Sequence, residues 1–336
     1  MKRQSNIELL RLIAMMMVVA IHTNYLSLGR PTLEMCQQDT LYSFIKIFHE
    51  KALLVCINVF IMISGWFGIH PSKRGISGFF FQVFFYSLLA IPLAYVFSGF
   101  HLPSITDMAK ELYFGYSYWF VPAYVILLAL SPALNLFVEQ TSKSSLEIFL
   151  IAYFCISTIY GHFVNVAWFS HGTSALWFIG VYVFARYLRL YSPKFSRLKP
   201  SADFGIYLLV TILSAVISFL CFRTRGNDPF ATDYNAPLTL VCSLFFFLPF
   251  TKFSFSHSTI NALAASSFAI YLLHNNFLVT PFFINLMQHI DHSFHGISYF
   301  FITIPVVLLI SLAAILIDQG RIKCWKVFER CLKFNE

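Results

Sequence analysis

The sequence predicts an all-α integral membrane protein with about ten transmembrane helices. Hydrophobic residues make up 58% of the 336 positions and charged residues only 11%, which excludes an ordinary soluble domain. Apolar windows that reach the length of about 20 residues needed to cross a bilayer recur along the whole chain. They fall near residues 7–28, 51–69, 76–98, 115–137, 146–164, 174–191, 204–222, 236–250, 260–284 and 297–317. The eighth window is short, and polar groups interrupt the ninth.

Basic residues in the connections between these windows predict the orientation, because Lys and Arg accumulate on the cytoplasmic side of membrane helices. With the N-terminus inside, sixteen basic residues fall on the inner side: Lys2, Arg3, Lys73, Arg74, Lys143, Arg186, Arg189, Lys194, Arg197, Lys199, Lys252, Arg321, Lys323, Lys326, Arg330 and Lys333. Six fall on the outer side: Arg30, Lys46, Lys51, Lys110, Arg223 and Arg225. We therefore expect both termini in the cytoplasm. The net charge of +8 then follows from topology and indicates no nucleic-acid partner.

No linker, repeat or low-complexity tract divides the chain, so residues 1–336 are interpreted as one membrane domain. The seven cysteines show no metal-like spacing such as CxxC, and free thiols are expected. His289, Asp291, His292 and His295 are clustered in the sequence, but their spacing fixes no ligand geometry. They are interpreted as a solvated loop, and no metal is predicted.

The first window, NIELLRLIAMMMVVAIHTNY at residues 6–25, carries the ionisable side chains Glu8, Arg11 and His22. An α-helix turns about 100° per residue, so Arg11 and His22 lie within about 20° of one face and about 16 Å apart along the axis. Glu8 lies one turn before Arg11. An arginine facing lipid near the bilayer centre would cost roughly 2.5–3.5 kcal/mol. The three side chains are therefore expected to face the helix bundle or a polar cavity.

Two interpretations of these side chains are open from spacing alone. Glu8 and Arg11 could form an ion pair that orients the helix, with His22 bonded to a neighbouring backbone group. Alternatively, the three residues form a functional site, which is the default hypothesis for ionisable groups inside a membrane.

The pattern resembles the first helix of the integral-membrane acyltransferase 3 family, which includes bacterial O-antigen and exopolysaccharide O-acetyltransferases. That helix carries an acidic residue three positions before an arginine, and a histidine after ten further residues. NVFIMISGWFG (58–68), YWFVPAYVILLALSPALN (118–135) and SSFAIYLLHNNF (266–277) resemble the family's second-helix, Trp-Phe and late Ser/Tyr/His segments. The chain departs from the family in having Glu8 where Asp is frequent, and only PSKRG (71–75) where an arginine cluster is frequent.

The resemblance implies a membrane O-acyltransferase of the bacterial cytoplasmic (inner) membrane. It would transfer an acyl group, most often acetyl from acetyl-CoA as co-substrate, to a sugar hydroxyl of a cell-surface or lipid-linked glycan. His22 would be the general base, because imidazole titrates near neutral pH; a covalent acyl-histidine is the variant. Arg11 would bind a CoA phosphate or the pantetheine carbonyl, and Glu8 would position Arg11.

Five further residues are assigned to this site. Lys73 and Arg74 would contact cytoplasmic phosphates, although their position equally suits topology determinants. Trp119 would line an acyl or sugar site, or anchor its helix at the interface. Tyr271 and His274, three residues apart on one helix face, would orient the substrate or His22, or form a hydrogen-bonded seam between helices.

Two other functional classes also place ionisable groups inside a membrane. One is a transporter or flippase for a polysaccharide or lipid-linked glycan, in which the polar stripe binds cargo or carries protons. The other is a glycan polymerase, which would be expected to have larger outward loops. The predicted outward connections are modest: Gly29 to Glu50, Gly99 to Gly115, His162 to Thr173, Arg223 to Asn235, and Asn285 to Gly296.

Overall fold

The computed structural model describes residues 4–113, 117–164, 166–229 and 231–331, and these segments contain helices and no strands. The α-helices are α1 (Ser5–Ile21), α2 (Leu33–Gln38), α3 (Thr40–Leu53), α4 (Cys56–Phe67), α5 (Lys73–Phe97), α6 (Ile105–Leu112), α7 (Phe120–Gln140), α8 (Lys143–Ile156), α9 (Ala175–Tyr191), α10 (Pro200–Arg225), α11 (Pro237–Lys252), α12 (Ser258–Ala264), α13 (Ser267–His274), α14 (Thr280–Ser293) and α15 (Ile297–Cys331). Lys2, Arg3 and Lys333, which entered the charge count, and Gly115, where a predicted window begins, lie outside the described residues.

Seven helical segments within the described ranges are long and apolar enough to cross a membrane. They are Ser5–Leu26, Thr40–Phe67, Lys73–Phe97, Phe120–Gln140, Lys143–Phe163, Pro200–Arg225 and Ile297–Cys331. Pro237–Lys252 is apolar but shorter. The all-helical membrane class is therefore confirmed, while the count of ten spans and the cytoplasmic termini stay predictions.

The predicted window at 260–284 is divided among α12, α13 and α14 rather than forming one helix. Asn276 lies at the second break, where its side-chain oxygen accepts a hydrogen bond from the Leu278 backbone N–H at 2.9 Å. Its amide nitrogen donates to Glu111 Oε1 at 2.7 Å. A side chain that takes over backbone hydrogen bonding in this way competes with helix continuation.

The predicted outward connection from Gly29 to Glu50 is mostly helical. The side chains of Thr32 and Asp39 cap α2 and α3 by accepting backbone N–H bonds, and α3 then runs on into α4 as one candidate span. This extension carries Lys46 and Glu50 into the protein, where they are 2% and 3% exposed. Hydropathy misses this helix because its polar residues point inward, not toward lipid.

α1 packs against α3, α4, α11, α12, α13 and α15. Its first turn is tied to neighbouring elements, because Asn6 Nδ2 donates to the Phe250 carbonyl at 2.8 Å and Ser5 Oγ donates to Asn261 Oδ1 at 2.9 Å. We call this end of the bundle the α1-start end. Glu8 is buried and Arg11 is half-buried, in agreement with a polar stripe inside the bundle.

α4 and α9 approach closely at Gly65. A Cβ atom at this position would lie 2.5 Å from the Tyr182 carbonyl oxygen and 2.8 Å from Ala185 Cβ, so only glycine fits without displacing the helices. The neighbouring Trp66 is buried against Phe247 of α11, with ring centroids 5.5 Å apart. This contact closes one side of a cleft at the α1-start end.

Candidate functional site

The helical geometry of α1 changes at His22. Residues His22–Leu26 form a π-helical turn. Thr23 Oγ1 donates to the Ala20 carbonyl and Ser27 Oγ donates to the His22 carbonyl, each at 2.7 Å. These side chains satisfy carbonyl groups around the wider turn. Single π-helical turns are rare and occur frequently at functional sites.

The π-helical turn is anchored to a buried carboxyl group on α3. Asn24 is fully buried and its Nδ2 donates both to Glu50 Oε2 at 2.8 Å and to the Lys46 carbonyl at 2.9 Å. Glu50 is not among the residues marked by the sequence pattern. It stands immediately before the apolar window that begins at residue 51, and this position is the one feature of the sequence that indicates a carboxyl group close to the membrane interior. The contacts hold the backbone next to His22 in a fixed position.

His22 and His274 form a hydrogen-bonded pair, with His22 Nδ1 3.0 Å from His274 Nε2. His274 Nδ1 lies 2.6 Å from the Ile270 carbonyl oxygen. Because a carbonyl can only accept, His274 Nδ1 carries a proton, and in the neutral ring its Nε2 is an acceptor. With both rings neutral, the proton between them belongs to His22 Nδ1. His22 Nε2 therefore keeps a free lone pair.

Tyr271 lies beside this pair. Its ring is edge-on to His274, with centroids 6.4 Å apart. Its hydroxyl group is buried and makes no hydrogen bond of standard geometry with the described residues, although the Asn275 side chain and the Phe120 backbone lie near it. A buried phenol that is incompletely hydrogen-bonded is costly, so this hydroxyl can take up a contact with a bound ligand.

Glu8 and Arg11 form an ion pair, with Arg11 Nη1 2.7 Å from Glu8 Oε2. The Arg11 side chain is 29% exposed, so it is not sealed in the core. Its charge interacts with the hydroxyl of Tyr124, which lies 3.4 Å from Ser64 Oγ. A guanidinium group has five N–H donors, and this pairing leaves donors for an anion or a carbonyl.

Aromatic side chains link the surroundings of Arg11 with the histidine pair. The cluster consists of Phe60, Phe79, Phe120, Tyr124, Phe268 and Tyr271. Tyr124 stacks on Phe120 at 5.4 Å, and Phe120 contacts Tyr271 at 5.9 Å. This aromatic cluster runs from Tyr124, near Arg11, to Tyr271, which contacts His274.

The remaining predicted site residues lie apart from the histidine pair. Lys73 is exposed at the first position of α5, and Arg74 pairs with Glu329 of α15, its Nη2 3.3 Å from Oε2. Trp119 stacks on Tyr234 at 6.1 Å, and its link toward Tyr271 is indirect, through Phe120. The structure thus joins Glu8 with Arg11 and His22 with His274, but leaves Lys73 and Arg74 at a separate surface.

A polar cavity of about 730 Å³ lies beyond the π-helical turn. It is lined by Ser27, Leu28, Gly29, Met35, Asp39, Tyr42, Lys46, Gln288, Asp291, His292, His295 and Gly296. Two contacts connect it with the backbone of His22, whose ring does not line it: Gln288 Nε2 donates to the Ser27 carbonyl at 3.0 Å, and Ser27 Oγ donates to the His22 carbonyl. We call this space the polar cavity.

The polar cavity revises the interpretation of the histidine-rich segment at 289–295. Asp291 and His292 belong to α14 and line the polar cavity together with His295. The segment is therefore helical as far as Ser293 and a loop only beyond it, while His289, His292 and His295 are exposed to solvent as predicted. Gln288, Asp291 and His292 of α14 line the polar cavity, whereas Phe283 and Met287 of the same helix are buried. Within the described ranges, no group of three or more His, Cys, Asp or Glu side chains could hold a metal ion.

One known protein family matches most of this chain. The family model described as an acyltransferase domain, Acyl_transf_3, matches residues 4–316. The matched range includes Glu8, Arg11, His22, Tyr271 and His274. No curated protein and no solved structure matches the chain. The family match lends no support to the transporter alternative. The chain belongs to the acyltransferase 3 family and is a multi-pass membrane acyltransferase.

Proposed function

We propose that the protein transfers an acetyl group from acetyl-CoA to a sugar hydroxyl of a cell-surface or lipid-linked glycan in the bacterial cytoplasmic membrane. His22 is the general base. The observation that carries this proposal is the contact between His22 Nδ1 and His274 Nε2, because it leaves His22 Nε2 as a free acceptor inside the helix bundle. A sugar hydroxyl is a weak nucleophile until such a base removes its proton.

The reaction requires one proton to move twice. The acceptor hydroxyl donates to His22 Nε2, and its oxygen attacks the carbonyl carbon of the thioester as the proton transfers. The carbon–sulfur bond breaks, and the proton on His22 Nε2 passes to the departing sulfur of CoA. The products are a sugar ester and free CoA, and His22 returns to its neutral form.

His274 acts as a positioning residue in this scheme. Its Nε2 accepts from His22 Nδ1–H before and during proton transfer, and the Ile270 carbonyl holds the His274 ring in the required tautomer. The hydrogen bond also stabilises the imidazolium form of His22, because the positive charge strengthens it. In the covalent variant, His22 Nε2 attacks the carbonyl carbon of the thioester and the carbon–sulfur bond breaks to release the CoA thiolate. The sugar hydroxyl then attacks the acetyl-histidine, the carbon–nitrogen bond breaks, and the hydroxyl proton neutralises the thiolate.

Acetyl-CoA enters from the α1-start end, which the positive-inside rule assigns to the cytoplasm. Arg11 binds a phosphate or the pantetheine carbonyl, and Glu8 holds the guanidinium in place through their 2.7 Å contact. The aromatic cluster then guides the pantetheine arm toward His22, and the buried hydroxyl of Tyr271 contacts the thioester end. Lys73 and Arg74 contact further phosphate oxygens of the donor, and Arg74 gives up its ion pair with Glu329 to do so.

The glycan acceptor occupies the polar cavity. Carboxylates of Asp39 and Asp291 accept from sugar hydroxyls, and Gln288 donates to them, while the Tyr42 ring packs on the sugar face. Trp119 contacts the acceptor or its lipid from the Tyr234 side. The two substrates thus approach His22 from opposite ends of α1.

Transfer of labelled acetyl from acetyl-CoA to glycan tests the proposal. Membranes with wild type, His22→Ala or His101→Ala are compared at equal protein abundance, and the glycan is analysed by mass spectrometry and NMR. His101 is a suitable control because it is exposed and bonded only within its own turn. Loss of the base is expected to reduce transfer by about 10²–10⁴-fold. Equal acetylation by His22→Ala and wild type would refute the base role.

A further inference from the structure

A second cavity, of about 350 Å³, lies at the α1-start end of the bundle. Its lining comes from α4, α9, α11 and the connection after α9: Trp66, Leu188, Arg189, Ser192, Ser196, Arg197, Leu198, Leu248, Thr251 and Lys252. We call it the basic cleft. Phe250 of α11, next to Thr251, accepts the hydrogen bond from Asn6 on α1. The basic cleft therefore lies at the same end as Glu8 and Arg11.

The basic cleft contains more positive than negative charge. Lys252 is neutralised, because its ammonium group contacts the Asp203 carboxylate and donates to the Leu198 carbonyl at 2.7 Å. Within the described part of the chain, neither Arg189 nor Arg197 lies within 4.0 Å of a carboxylate. Two guanidinium groups thus line one cavity without a protein counter-charge.

Both guanidinium groups are held in place by contacts that leave N–H donors unused. Arg189 lies over the Trp66 ring, its Cζ 4.9 Å from the ring centroid, and stacking leaves the edge of the guanidinium plane open. Arg197 Nε donates to the Ser192 carbonyl at 2.7 Å, so its two terminal nitrogens remain available. Donors fixed in advance lose less conformational entropy when a ligand binds.

We propose that the basic cleft is a binding subsite for a phosphate ester. Two arginine forks can bind the oxygens of one phosphate group in bidentate fashion, and the hydroxyl groups of Ser192, Ser196 and Thr251 complete the lining. Two molecules at a cytoplasmic membrane face carry this chemistry: the nucleotide end of CoA and an anionic phospholipid headgroup. The first source rests on the proposed function.

The basic cleft and the candidate site lie at the same end of the bundle but on different faces of α4. Trp66 of the basic cleft stands two residues after Ser64, whose hydroxyl contacts Tyr124 beside Arg11, and residues two apart on a helix point to nearly opposite sides. A donor whose phosphate is bound by Arg189 and Arg197 therefore passes around the end of α4 to reach Arg11. This arrangement assigns one phosphate to the basic cleft and leaves Arg11 for a group nearer the thioester.

Binding of adenosine 3′,5′-bisphosphate to the purified full-length protein tests the first source by calorimetry, without acyl transfer. Arg189→Gln and Arg197→Gln are each expected to weaken binding at least tenfold, since a hydrogen bond to a charged group contributes about 1.5–3 kcal/mol. Lys194→Gln is the matched control, because Lys194 is exposed in the same connection but does not line the basic cleft. Arg197→Lys keeps the positive charge but lacks the guanidinium fork. Partial retention of nucleotide binding by this variant shows that the loss in Arg197→Gln does not come from misfolding.

Thermal unfolding in bilayer discs tests the second source. Discs of phosphatidylcholine alone are compared with discs that also contain phosphatidylglycerol. Stabilisation by phosphatidylglycerol that disappears in both arginine variants, with nucleotide binding unchanged, assigns the basic cleft to lipid. If both variants match wild type in both measurements, the subsite does not exist. If wild type binds no CoA-derived nucleotide, the proposal that acetyl-CoA is the acyl donor is contradicted. The measurement with phosphatidylglycerol then still shows whether the basic cleft binds a phosphate ester.

Discussion

His22 Nδ1 lies 3.0 Å from His274 Nε2, although 252 positions separate the two residues in the chain. The Ile270 carbonyl fixes the proton of His274 on Nδ1, and the pair thereby presents His22 Nε2 as an acceptor. His22 donates its Nδ1 proton to His274, and His274 donates its own to the backbone carbonyl of Ile270. The effects of substitutions at these histidines depend on this direction of donation.

Replacement of His274 is expected to impair turnover more than substrate binding. His274→Ala removes the acceptor of His22 Nδ1–H, and kcat should fall by about 10–10²-fold, below the full general-base contribution. His274→Gln should retain part of the activity, because its side-chain oxygen can accept the same hydrogen bond. Steady-state kcat and KM for acetyl-CoA distinguish these effects. A KM increase with constant kcat would assign His274 to donor binding instead.

Replacement of Arg11 is expected to act on the donor. Arg11→Ala should raise KM or Kd for acetyl-CoA by about tenfold or more, since hydrogen bonds to charged groups contribute about 1.5–3 kcal/mol. Glu8→Gln should have a smaller effect in the same direction, because it removes the charge of the ion pair but keeps a side-chain oxygen that can accept from the guanidinium. Unchanged acetyl-CoA binding by Arg11→Ala would remove Arg11 from the donor site.

The hydrogen bond between Asn24 and Glu50 is expected to stabilise the fold next to His22. Asn24→Ala leaves the buried Glu50 without this donor, which should lower the free energy of unfolding by about 1–3 kcal/mol. The double variant Asn24→Ala, Glu50→Gln should recover part of the loss, because an amide has one acceptor oxygen where the carboxyl group has two and so leaves fewer buried acceptors without a donor. Thermal unfolding of the purified proteins measures both. Additive losses in the double variant would contradict the coupling.

Substitutions in the polar cavity are expected to change the KM for the glycan acceptor and not the KM for acetyl-CoA. Asp291→Asn should raise KM for the glycan several-fold, because it replaces a charged hydrogen-bond acceptor that faces the polar cavity. His289→Ala is the matched control, since His289 is exposed on α14 and does not line the polar cavity. Kinetics at saturating acetyl-CoA measure the effect. A change confined to KM for acetyl-CoA would place the acceptor elsewhere.

Glu111 of α6 predicts a pH dependence of stability. Burial raises the pKa of Glu111, and hydrogen bonds from Ser117 and Asn276 offset part of the effect. A carboxyl group whose pKa is higher in the folded state binds its proton more tightly there. Its contribution to stability therefore falls as the pH rises from the unfolded pKa, about 4.3, through the raised folded value. Unfolding midpoints of Glu111→Gln should decline less over this interval than those of wild type. Parallel pH profiles would contradict the assignment.

The membrane class, the polar stripe on α1 and the family could all be predicted from the sequence. These properties depend on local order: hydropathy accumulates over about 20 adjacent residues, and the helical repeat places Arg11 and His22 by their separation alone. The sequence also predicts that Tyr271 and His274 share a face, because residues three positions apart on a helix lie on the same side.

Only the tertiary structure decided which of these residues meet. No periodicity indicates that His274 contacts His22, that Lys46 and Glu50 lie in the interior, or that Arg189 and Arg197 share a cavity, since such contacts are set by helix packing between distant segments. The same packing leaves Lys73 and Arg74 at a separate surface and divides the late polar window at Asn276. Local sequence thus determined which side chains enter the membrane, and the packing of the helices decided which of them form a site.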